Sequence, residues 1–449
     1  MIEIKKLHLD NFKCFSKADI DFGKITIIAG ANSSGKSSLM YALLGVLQSN
    51  GFPNAFSTNG SYLDMGDYTE MVLNHDPSQQ ISISFQIKED SSIYDVDIRL
   101  AKSEEGTMPF LSLLQCRNDY FFFRLVGDIY GGQFKYDLDY FPDKNPNVIV
   151  SDEKKRNESI ASILNNPSLA KANADELVLY LTALGKELRL RSALFDADNM
   201  GVTKDENTIV LFHVVNEFSS LLKRTDNHFN FISSFRMPPE RTYMERSAGK
   251  KIGAYGDGFV DVLMKWMNTD RERYNRLISI LGKMGILSDI KIDQIQGGRF
   301  NVLVKTTGTG PLSSLNDVGF GVSQILPVVI ADLELGDNST LFCAQPEIHL
   351  HPSVQADYAS YLMEQVASGS KRYIIETHSE YIINRIRLGI AKGMIAEEDV
   401  KVYFLKNENG TSKIYPLTLT SKGQILGAPE DFFKTYMIDV MNIAIEAAE

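Results

Sequence analysis

The order of apolar and polar positions near the N-terminus predicts two strands, a glycine-rich loop and a helix. Residues 2–9 (IEIKKLHL) alternate between apolar and polar side chains, and residues 24–30 (KITIIAG) form a nearly continuous apolar run. Alternation is typical of a half-buried strand, and a short apolar run is typical of a buried one. After the loop, residues 38–47 (SLMYALLGVL) carry leucines at helical spacing, so we expect a helix there.

The middle of the chain changes from strand-like to helix-like patterning. Stretches such as residues 81–87 (ISISFQI) and 93–100 (IYDVDIRL) alternate, which predicts an antiparallel sheet within residues 52–150. Residues 175–195 (DELVLYLTALGKELRLRSALF) have apolar positions at helical spacing, without a sustained heptad. We therefore predict a short helical subdomain at residues 151–230, used for dimerisation or partner docking, and no long coiled-coil arm.

Composition places the chain among globular proteins of the cytoplasm. It has 449 residues, 44% of them hydrophobic, and no apolar run as long as a membrane span or a signal peptide. The three cysteines are far apart in sequence, which fits reduced thiols. The net charge of −11 opposes wide nucleic-acid coating, although residues 236–251 and 271–276 are locally basic.

The loop between the second strand and the helix matches G-x-x-x-x-G-K-[ST], with the strand and helix context that supports a phosphate-binding loop. Its glycines allow successive N–H groups to face phosphates, the lysine brings a positive charge to them, and Ser37 is the predicted Mg²⁺ ligand. The helix N-terminus also favours an anion. The candidate nucleotide-binding residues in this loop are Gly30, Asn32, Ser33, Ser34, Gly35, Lys36, Ser37 and Ser38.

Three further motifs follow after a long insertion. They are a glycine-rich helix start at residues 317–327 (DVGFGVSQILP), an apolar strand with a proline-flanked end at residues 340–352 (TLFCAQPEIHLHP), and a histidine, His378, after the strand-like RYIIE. This order resembles the ABC-type ATPase heads of the SMC, RecF and OLD (overcoming-lysogenisation-defect) group. The resemblance implies an α/β fold in which a mixed sheet and a flanking antiparallel sheet form the head and a helical subdomain is inserted. The implied domains are an N-terminal lobe (1–150), the helical insertion (151–230) and a C-terminal lobe (231–449).

The resemblance also implies roles for residues outside the loop. The helix start would cap the γ-phosphate of ATP held by an opposite protomer, through Gly321, Ser323 and Gln324. His378 would sense the γ-phosphate, and Asn11 and Lys13 belong to a turn that relatives place near the nucleotide. Two groups have other expected places: Arg236 to Arg241 lie near a dimer or partner face, and the histidines at 349 and 351 belong to a structural turn without a metal role.

The strand end at Ala344 lacks an acid. Related ATPases usually read hydrophobic-Glu-Gln-Pro-Glu there, so Gln345 and Glu347 match while alanine replaces the first glutamate. That carboxylate would order Mg²⁺ and position the attacking water, so its loss predicts slow hydrolysis with ATP binding retained. Glu347 is expected beyond the proline turn, away from the strand tip. Two explanations stay open: a substitution introduced to trap the ATP-bound state, which we favour, or a natural slow switch.

The functional expectation is an ATPase that uses ATP and Mg²⁺ and forms a head-to-head dimer or a higher oligomer. Stand-alone OLD-like ATPases resemble the sensor subunits of two-gene anti-phage systems of the PARIS kind. The expected partners are therefore a separate effector, such as a TOPRIM nuclease, and a phage trigger protein, since no DxD motif follows His378. The alternative is a RecF-like repair ATPase that binds DNA through residues 236–251. A transporter head is disfavoured because the insertion is long, and no membrane partner is expected.

Overall fold

The computed structural model describes residues 1–49, 52, 56–103, 106–128, 133–141, 144, 188–196, 206–244, 251–295, 297–429 and 432. The chain divides into two compact units. The first comprises Met1–Asp19, Tyr41–Gly60 and Asp64–Asp226, and the second comprises Ile20–Met40, Ser61–Leu63 and Asn227–Glu449. The phosphate loop therefore belongs to the second unit, together with the C-terminal motifs.

The sheet of the first unit has eight strands in the order β2-β1-β4-β5-β6-β7-β8-β9. From β1 onward, neighbouring strands pair antiparallel, as the alternating segments predict. In β4, every second side chain is buried, which is the pattern of a sheet with one covered face. The strands are β1 (Ile2–Phe12), β2 (Phe15–Asp21), β4 (Ile81–Glu89), β5 (Ser92–Lys102), β6 (Pro109–Arg117), β7 (Phe121–Asp128), β8 (Gln133–Tyr140) and β9 (Leu188–Asp196).

The last strand of this sheet corrects one sequence prediction. Residues 175–195 were expected to be helical, but Leu188–Asp196 forms β9 and pairs with β8. The segment LRLRSALF alternates leucine and arginine at its start, which is a two-residue period typical of strands. A longer leucine spacing upstream hides this period in the sequence. The rest of the predicted helical segment, residues 175–187, lies outside the described residues; downstream, α3 (Glu206–Asn227) is helical as predicted.

The central sheet of the second unit has the order β10-β15-β16-β3-β17-β18-β19. The five strands from β10 to β17 pair in parallel, while β18 and β19 are antiparallel. Every residue of β3 and β15 is buried, as is typical of parallel strands covered on both faces. The strands are β3 (Ile25–Gly30), β10 (Phe229–Ile232), β15 (Thr340–Ala344), β16 (Arg372–Thr377), β17 (Val400–Glu408), β18 (Thr411–Leu419) and β19 (Ile425–Leu426).

Helices and a small sheet complete the described part of the chain. The small sheet consists of β11 (Tyr243–Met244), β12 (Asp289–Ile295), β13 (Arg299–Lys305) and β14 (Ser313–Ser314). The remaining helices are α1 (Lys36–Gln48), α2 (Tyr68–Met71), α4 (Phe259–Thr269), α5 (Arg271–Lys283), α6 (Phe320–Glu334), α7 (Pro352–Ser368) and α8 (Glu380–Ala391), with 3₁₀ turns at Leu73–His75 and Glu397–Asp399. Within the described ranges, no helix combines the length and apolar character needed to cross a membrane.

Parallel pairing brings the ends of β3, β15 and β16 to one edge of the central sheet. Because β16 lies between the other two strands, its last residues stand between the phosphate loop and the strand that carries Ala344. Ligands of open parallel sheets bind beyond the carboxyl ends of the strands. The fold therefore gathers motifs from distant parts of the sequence at a single edge.

Candidate nucleotide-binding site

The phosphate loop connects the end of β3 to the start of α1 at Lys36. Its backbone has positive φ angles at Gly30 (152°), Ser33 (59°) and Gly35 (89°). A side chain at Gly30 would collide with the carbonyl oxygen of Leu405, so glycine is required there. These angles curl the chain into a loop that precedes a helix N-terminus, the arrangement that receives phosphate.

Two groups inside the loop fit an anionic ligand. Ser34 is 1% exposed, and its Oγ has no hydrogen-bond partner among the described residues. The Lys36 Nζ donates to the carbonyl oxygen of Ala31 at 2.8 Å, so the loop itself holds the ammonium group. A buried hydroxyl without a partner is costly, and a phosphate oxygen would satisfy it. The residues of the loop therefore fit ATP, as the sequence predicts.

The remaining loop residues are placed around these two groups. Asn32 and Ser33 are exposed on the outer side of the loop, while Ser38 lies in the first turn of α1. Burial lowers the pKa of the Lys36 ammonium, and the nearby carboxylates of Glu376 and Glu347 oppose this effect. The charge of Lys36 thus interacts with two acids, one near the end of β16 and one in the turn after β15.

The nearest acid to the loop is Glu376, which sequence analysis missed as a site residue. The Ser37 Oγ lies 2.9 Å from one carboxylate oxygen of Glu376 and 2.8 Å from the other. Glu376 is the second-last residue of β16 and is 2% exposed. Burial raises its pKa, whereas the Ser37 hydroxyl and the charge of Lys36 act in the opposite direction. The signal in the sequence was an acid that follows a buried apolar run.

The end of β15 lies directly beside Glu376. Ala344 is 3% exposed and pairs with Glu376 in the register of the two parallel strands. Gln345 follows with a φ of 47°, and its N–H donates to the carbonyl oxygen of Glu376 at 2.7 Å. Position 344, where related ATPases carry an acid, is therefore directly opposite the acid of β16, Glu376.

Glu347 returns to this edge after the proline turn. Its carboxylate accepts a hydrogen bond from the backbone N–H of His378 at 2.7 Å. Burial of the Glu347 carboxyl raises its pKa. Glu347 lies beyond Pro346, away from the tip of β15 as expected, and the turn brings its carboxylate to the end of β16.

His378 is exposed immediately after β16. Partial desolvation and the positive charge of Lys36 both lower its pKa, so the imidazole is neutral at pH 7. A neutral imidazole can donate or accept one hydrogen bond without adding charge. The predicted role as a γ-phosphate sensor needs such a group near the loop, and it stays a prediction.

Arg236 occupies a different place from the one that the sequence suggested. It is 4% exposed, and one of its NH₂ groups donates to the carbonyl oxygens of Ala344 at 2.8 Å and Gln345 at 3.1 Å. The Arg236 side chain is therefore not available for contact with a partner and supports the end of β15 from inside, while the expected place of the Arg236 to Arg241 segment near a dimer or partner face stays a prediction. Arg241 is exposed and pairs with Asp317 at 2.9 Å. Residues 245–250 of the basic segment lie outside the described residues.

The glycine-rich motif starts α6, as predicted. Gly319 is its N-cap and provides no side chain to the first turn. The Ser323 Oγ donates to the carbonyl oxygen of Phe320 at 2.8 Å, and both Ser323 and Gln324 are buried. At the start of α6, the Ser323 and Gln324 side chains are therefore turned inward. The groups that the helix start can offer to a ligand are backbone N–H groups, including that of the half-buried Gly321. The roles of Gly321, Ser323 and Gln324 at a partner's nucleotide stay predictions.

The remaining predicted residues belong to the first unit. The Asn11 side chain donates to the carbonyl oxygen of Gln80 at 3.2 Å, and the Lys13 Nζ donates to that of Glu70 at 3.3 Å. Both residues have positive φ angles, 54° and 51°, so they form a tight turn at the end of β1. Their predicted contribution to nucleotide binding stays a prediction.

A parallel sheet that ends in a phosphate loop, with the predicted motifs on adjacent strands, defines an ABC-type P-loop ATPase. Two segments, residues 2–237 and 259–383, match the family model described as AAA ATPase domain. The chain therefore belongs to the AAA ATPase domain family. A search of the curated proteins finds no significant match.

Solved structures of SMC head domains are similar to this chain at low identity. The head of the Pyrococcus furiosus protein, with an extended coiled coil and bound to the C-terminal domain of ScpA, has 14% identity, covers 100% of both chains and has a TM-score of 0.42. An Smc head bound to the C-winged helix domain of ScpA has 13% identity, covers 93% of this chain and 98% of that one, and has a TM-score of 0.46. The Thermotoga maritima head has 11% identity, covers 92% and 98%, and has a TM-score of 0.42. TM-scores this low support no inference about function.

Proposed function

We propose that the protein is a slow ATP-driven switch that binds ATP with Mg²⁺ and controls a separate partner protein. The observation that carries this proposal is the combination of a phosphate loop ready for an anion with a strand end, Ala344, that has no acid. The first feature supports ATP binding, and the second supports slow turnover. A chain that keeps ATP for a long time can hold one conformation until hydrolysis releases it.

In this proposal, some residues of the site bind the phosphates and Mg²⁺, and others act in hydrolysis. The loop N–H groups, Ser34 Oγ and the Lys36 ammonium would hold the phosphates, and the Ser37 hydroxyl would hold Mg²⁺. Mg²⁺ neutralises charge that develops on the phosphates during phosphoryl transfer. His378 would hydrogen-bond to the γ-phosphate as a neutral imidazole. The Glu347 carboxylate also lies at this edge, against the backbone N–H of His378, and we assign it the positioning of water.

The proposal includes a homo-oligomer in which the start of α6 faces the nucleotide of an opposite protomer. It also includes a separate effector, for example a TOPRIM nuclease, and a phage trigger protein. Support for these partners comes from the resemblance in motif order alone. The three cysteines, Cys14, Cys116 and Cys343, are unpaired, which supports a reducing compartment such as the cytoplasm. The alternative of direct DNA binding loses Arg236 as a contact, because this residue is buried.

The test compares ATP turnover and solution mass of this chain with those of Ala344→Glu and Lys36→Ala. We expect Ala344→Glu to hydrolyse ATP at least about tenfold faster, since one positioned group commonly contributes that much or more. The present chain should bind ATP and stay assembled with it, and Lys36→Ala should bind ATP much more weakly and assemble less at the same ATP concentration. If this chain and Ala344→Glu both bind ATP but neither hydrolyses it, the protein is a nucleotide-gated scaffold and the proposed switch is wrong.

A further inference from the structure

The residue opposite the missing acid is itself an acid. In the parallel pair of β15 and β16, Ala344 is the register partner of Glu376. Directly opposed residues of neighbouring strands point to the same face of a sheet, with their Cα atoms about 4.8 Å apart. The carboxylate of Glu376 therefore lies on the face that a side chain at position 344 would use, displaced by one strand toward the phosphate loop.

This displacement brings the carboxylate to the hydroxyl that would ligate Mg²⁺. Both carboxylate oxygens of Glu376 lie within 2.9 Å of Ser37 Oγ. A hydroxyl that donates its proton to a carboxylate keeps its lone pairs for a cation. Mg²⁺ in phosphate sites is bound by one or two carboxylates together with phosphate oxygens and water.

A purely structural role explains only part of this arrangement. The Ser37 hydroxyl and the Gln345 side chain hydrogen-bond to the Glu376 carboxylate, yet a carboxylate has about four lone-pair sites. The carboxylate is 2% exposed, and the Lys36 ammonium favours its ionised form through charge while donating its hydrogen bond to Ala31 at 2.8 Å. A buried carboxylate is costly unless cations or several donors compensate it. A divalent cation next to Ser37 would provide that compensation.

We propose that Glu376 is the metal-positioning carboxylate of this ATPase, supplied by β16 in place of the acid that β15 lacks at Ala344. This inference rests on the proposed ATP binding and goes beyond it, because it assigns the metal site to a residue on β16 and not on β15. Glu376 holds the cation together with Ser37, either directly or through a water molecule. Nucleotide binding is then coupled to Mg²⁺ although hydrolysis is slow.

The test measures metal binding rather than activity. Mn²⁺ would serve as the probe, with its affinity for the complex of the full chain and ATP read by electron paramagnetic resonance. A fluorescent ATP analogue would be titrated in parallel, with Mg²⁺ and with EDTA. The variants are Glu376→Gln, Glu376→Asp and the double variant Ala344→Glu/Glu376→Gln, which moves the carboxylate back to β15. Glu364→Gln, an exposed glutamate on α7, is the matched control.

We expect Glu376→Gln to weaken Mn²⁺ affinity about 10- to 100-fold, the usual effect of removing a group that supports a metal site. Nucleotide affinity in EDTA should stay the same within about twofold, which also shows that the loop is intact. The Mn²⁺ affinity of Glu376→Asp should lie between those of the unmodified chain and Glu376→Gln. The double variant should recover part of the Mn²⁺ affinity that Glu376→Gln loses. A merely structural glutamate would show no such recovery, because its replacement on another strand cannot restore a contact to Ser37.

Two results would overturn the inference, and they have different meanings. If Glu376→Gln binds Mn²⁺ like the unmodified chain, Glu376 has no metal role, while the proposed ATP binding stands. If the unmodified chain binds no nucleotide in either condition, the proposed function is wrong and the inference is wrong with it. Thermal unfolding of each variant shows whether a loss of Mn²⁺ affinity comes from misfolding. If Glu376→Gln is misfolded, the Mn²⁺ affinity of Glu376→Asp decides whether Glu376 has a metal role.

Discussion

Asp332 on α6 is the centre of a buried polar cluster, and its removal should destabilise the second unit strongly. Asp332 is 2% exposed and accepts hydrogen bonds from Tyr373 Oη at 3.1 Å, from Lys371 Nζ at 3.2 Å and from the hydroxyl of Tyr361. Lys371 is itself 8% exposed. One carboxylate therefore compensates a buried ammonium and two phenol groups that come from α7, β16 and the segment between them.

The change Asp332→Ala removes the acceptor of both phenol groups and the counter-charge of Lys371, whose ammonium keeps only its hydrogen bond to the backbone carbonyl oxygen of residue 332. Breaking a buried ion pair by removing one partner costs about 3–5 kcal/mol, because the remaining charge stays buried. Each unsatisfied hydroxyl adds up to about 1–3 kcal/mol, although such terms do not add fully. We therefore expect a loss of about 4 kcal/mol, a large part of the usual 5–15 kcal/mol of protein stability.

Urea unfolding followed by circular dichroism, with and without ATP·Mg²⁺, measures this loss. The control is the double variant Asp332→Leu/Lys371→Met, which removes both charges and should recover the part of the stability that the unpaired ammonium costs. The reasoning is refuted if Asp332→Ala costs less than about 1 kcal/mol, or if the double variant is as unstable as Asp332→Ala. The cluster connects α6, whose start carries the glycine-rich motif, to β16, the strand that carries Glu376.

Three further changes test other parts of the site. Lys36→Ala should weaken ATP binding about 30- to 160-fold in nucleotide titrations, since a charge-assisted contact is worth about 2–3 kcal/mol. Gly321→Ala should lower stability by about 1–3 kcal/mol in thermal unfolding, because its Cβ would lie 2.5 Å from the carbonyl oxygen of His349. Glu347→Gln should stabilise the nucleotide-free chain at neutral pH, because burial raises the folded-state pKa of Glu347. The contribution of its neutral form is present at low pH and is lost as pH rises through the folded-state pKa, so the advantage of Gln should vanish near pH 4.

Each of these changes has its own control. Gly319→Ala is matched to Gly321→Ala, since no heavy atom lies within 4 Å of the added Cβ. Equal melting temperatures for the two alanine variants would contradict the proposed clash. Glu364→Gln, at an exposed position of α7, is the control for Glu347→Gln. A Glu347→Gln difference that stays constant from pH 4 to pH 8 would exclude the raised pKa of Glu347. Binding by Lys36→Ala within about threefold of the unmodified chain would remove Lys36 from the site.

Local features of the site could be predicted from the sequence, because they depend on neighbouring residues. The phosphate loop needs glycines at fixed positions between a buried strand and a helix, and all of these lie within residues 24–47. The start of α6 and the end of β15 were likewise indicated by short motifs. Such predictions require no knowledge of which strands are adjacent.

The contributions that the sequence did not reveal depend on strand order. Ser37 and Glu376 are 339 positions apart and meet only because β16 lies between β15 and β3. Arg236 reads as a surface cation in a basic segment, yet the packing of its guanidinium against the end of β15 determines its burial. The β9 segment was missed for another reason. A helical leucine spacing upstream overlaps in the sequence with the two-residue period of Leu188–Asp196.

The pairing of Ala344 with Glu376 also bears on why position 344 lacks an acid. A glutamate there would place a second carboxylate beside Glu376 on the same face of the sheet. Two such charges about 5 Å apart cost about 3 kcal/mol at an effective dielectric constant of 20, and Mg²⁺ would relieve this repulsion only while bound. A small neutral residue at 344 avoids this repulsion in the metal-free chain, in agreement with the proposed metal role of Glu376. The strand register thus gives a physical reason for alanine at position 344 that requires no introduced substitution.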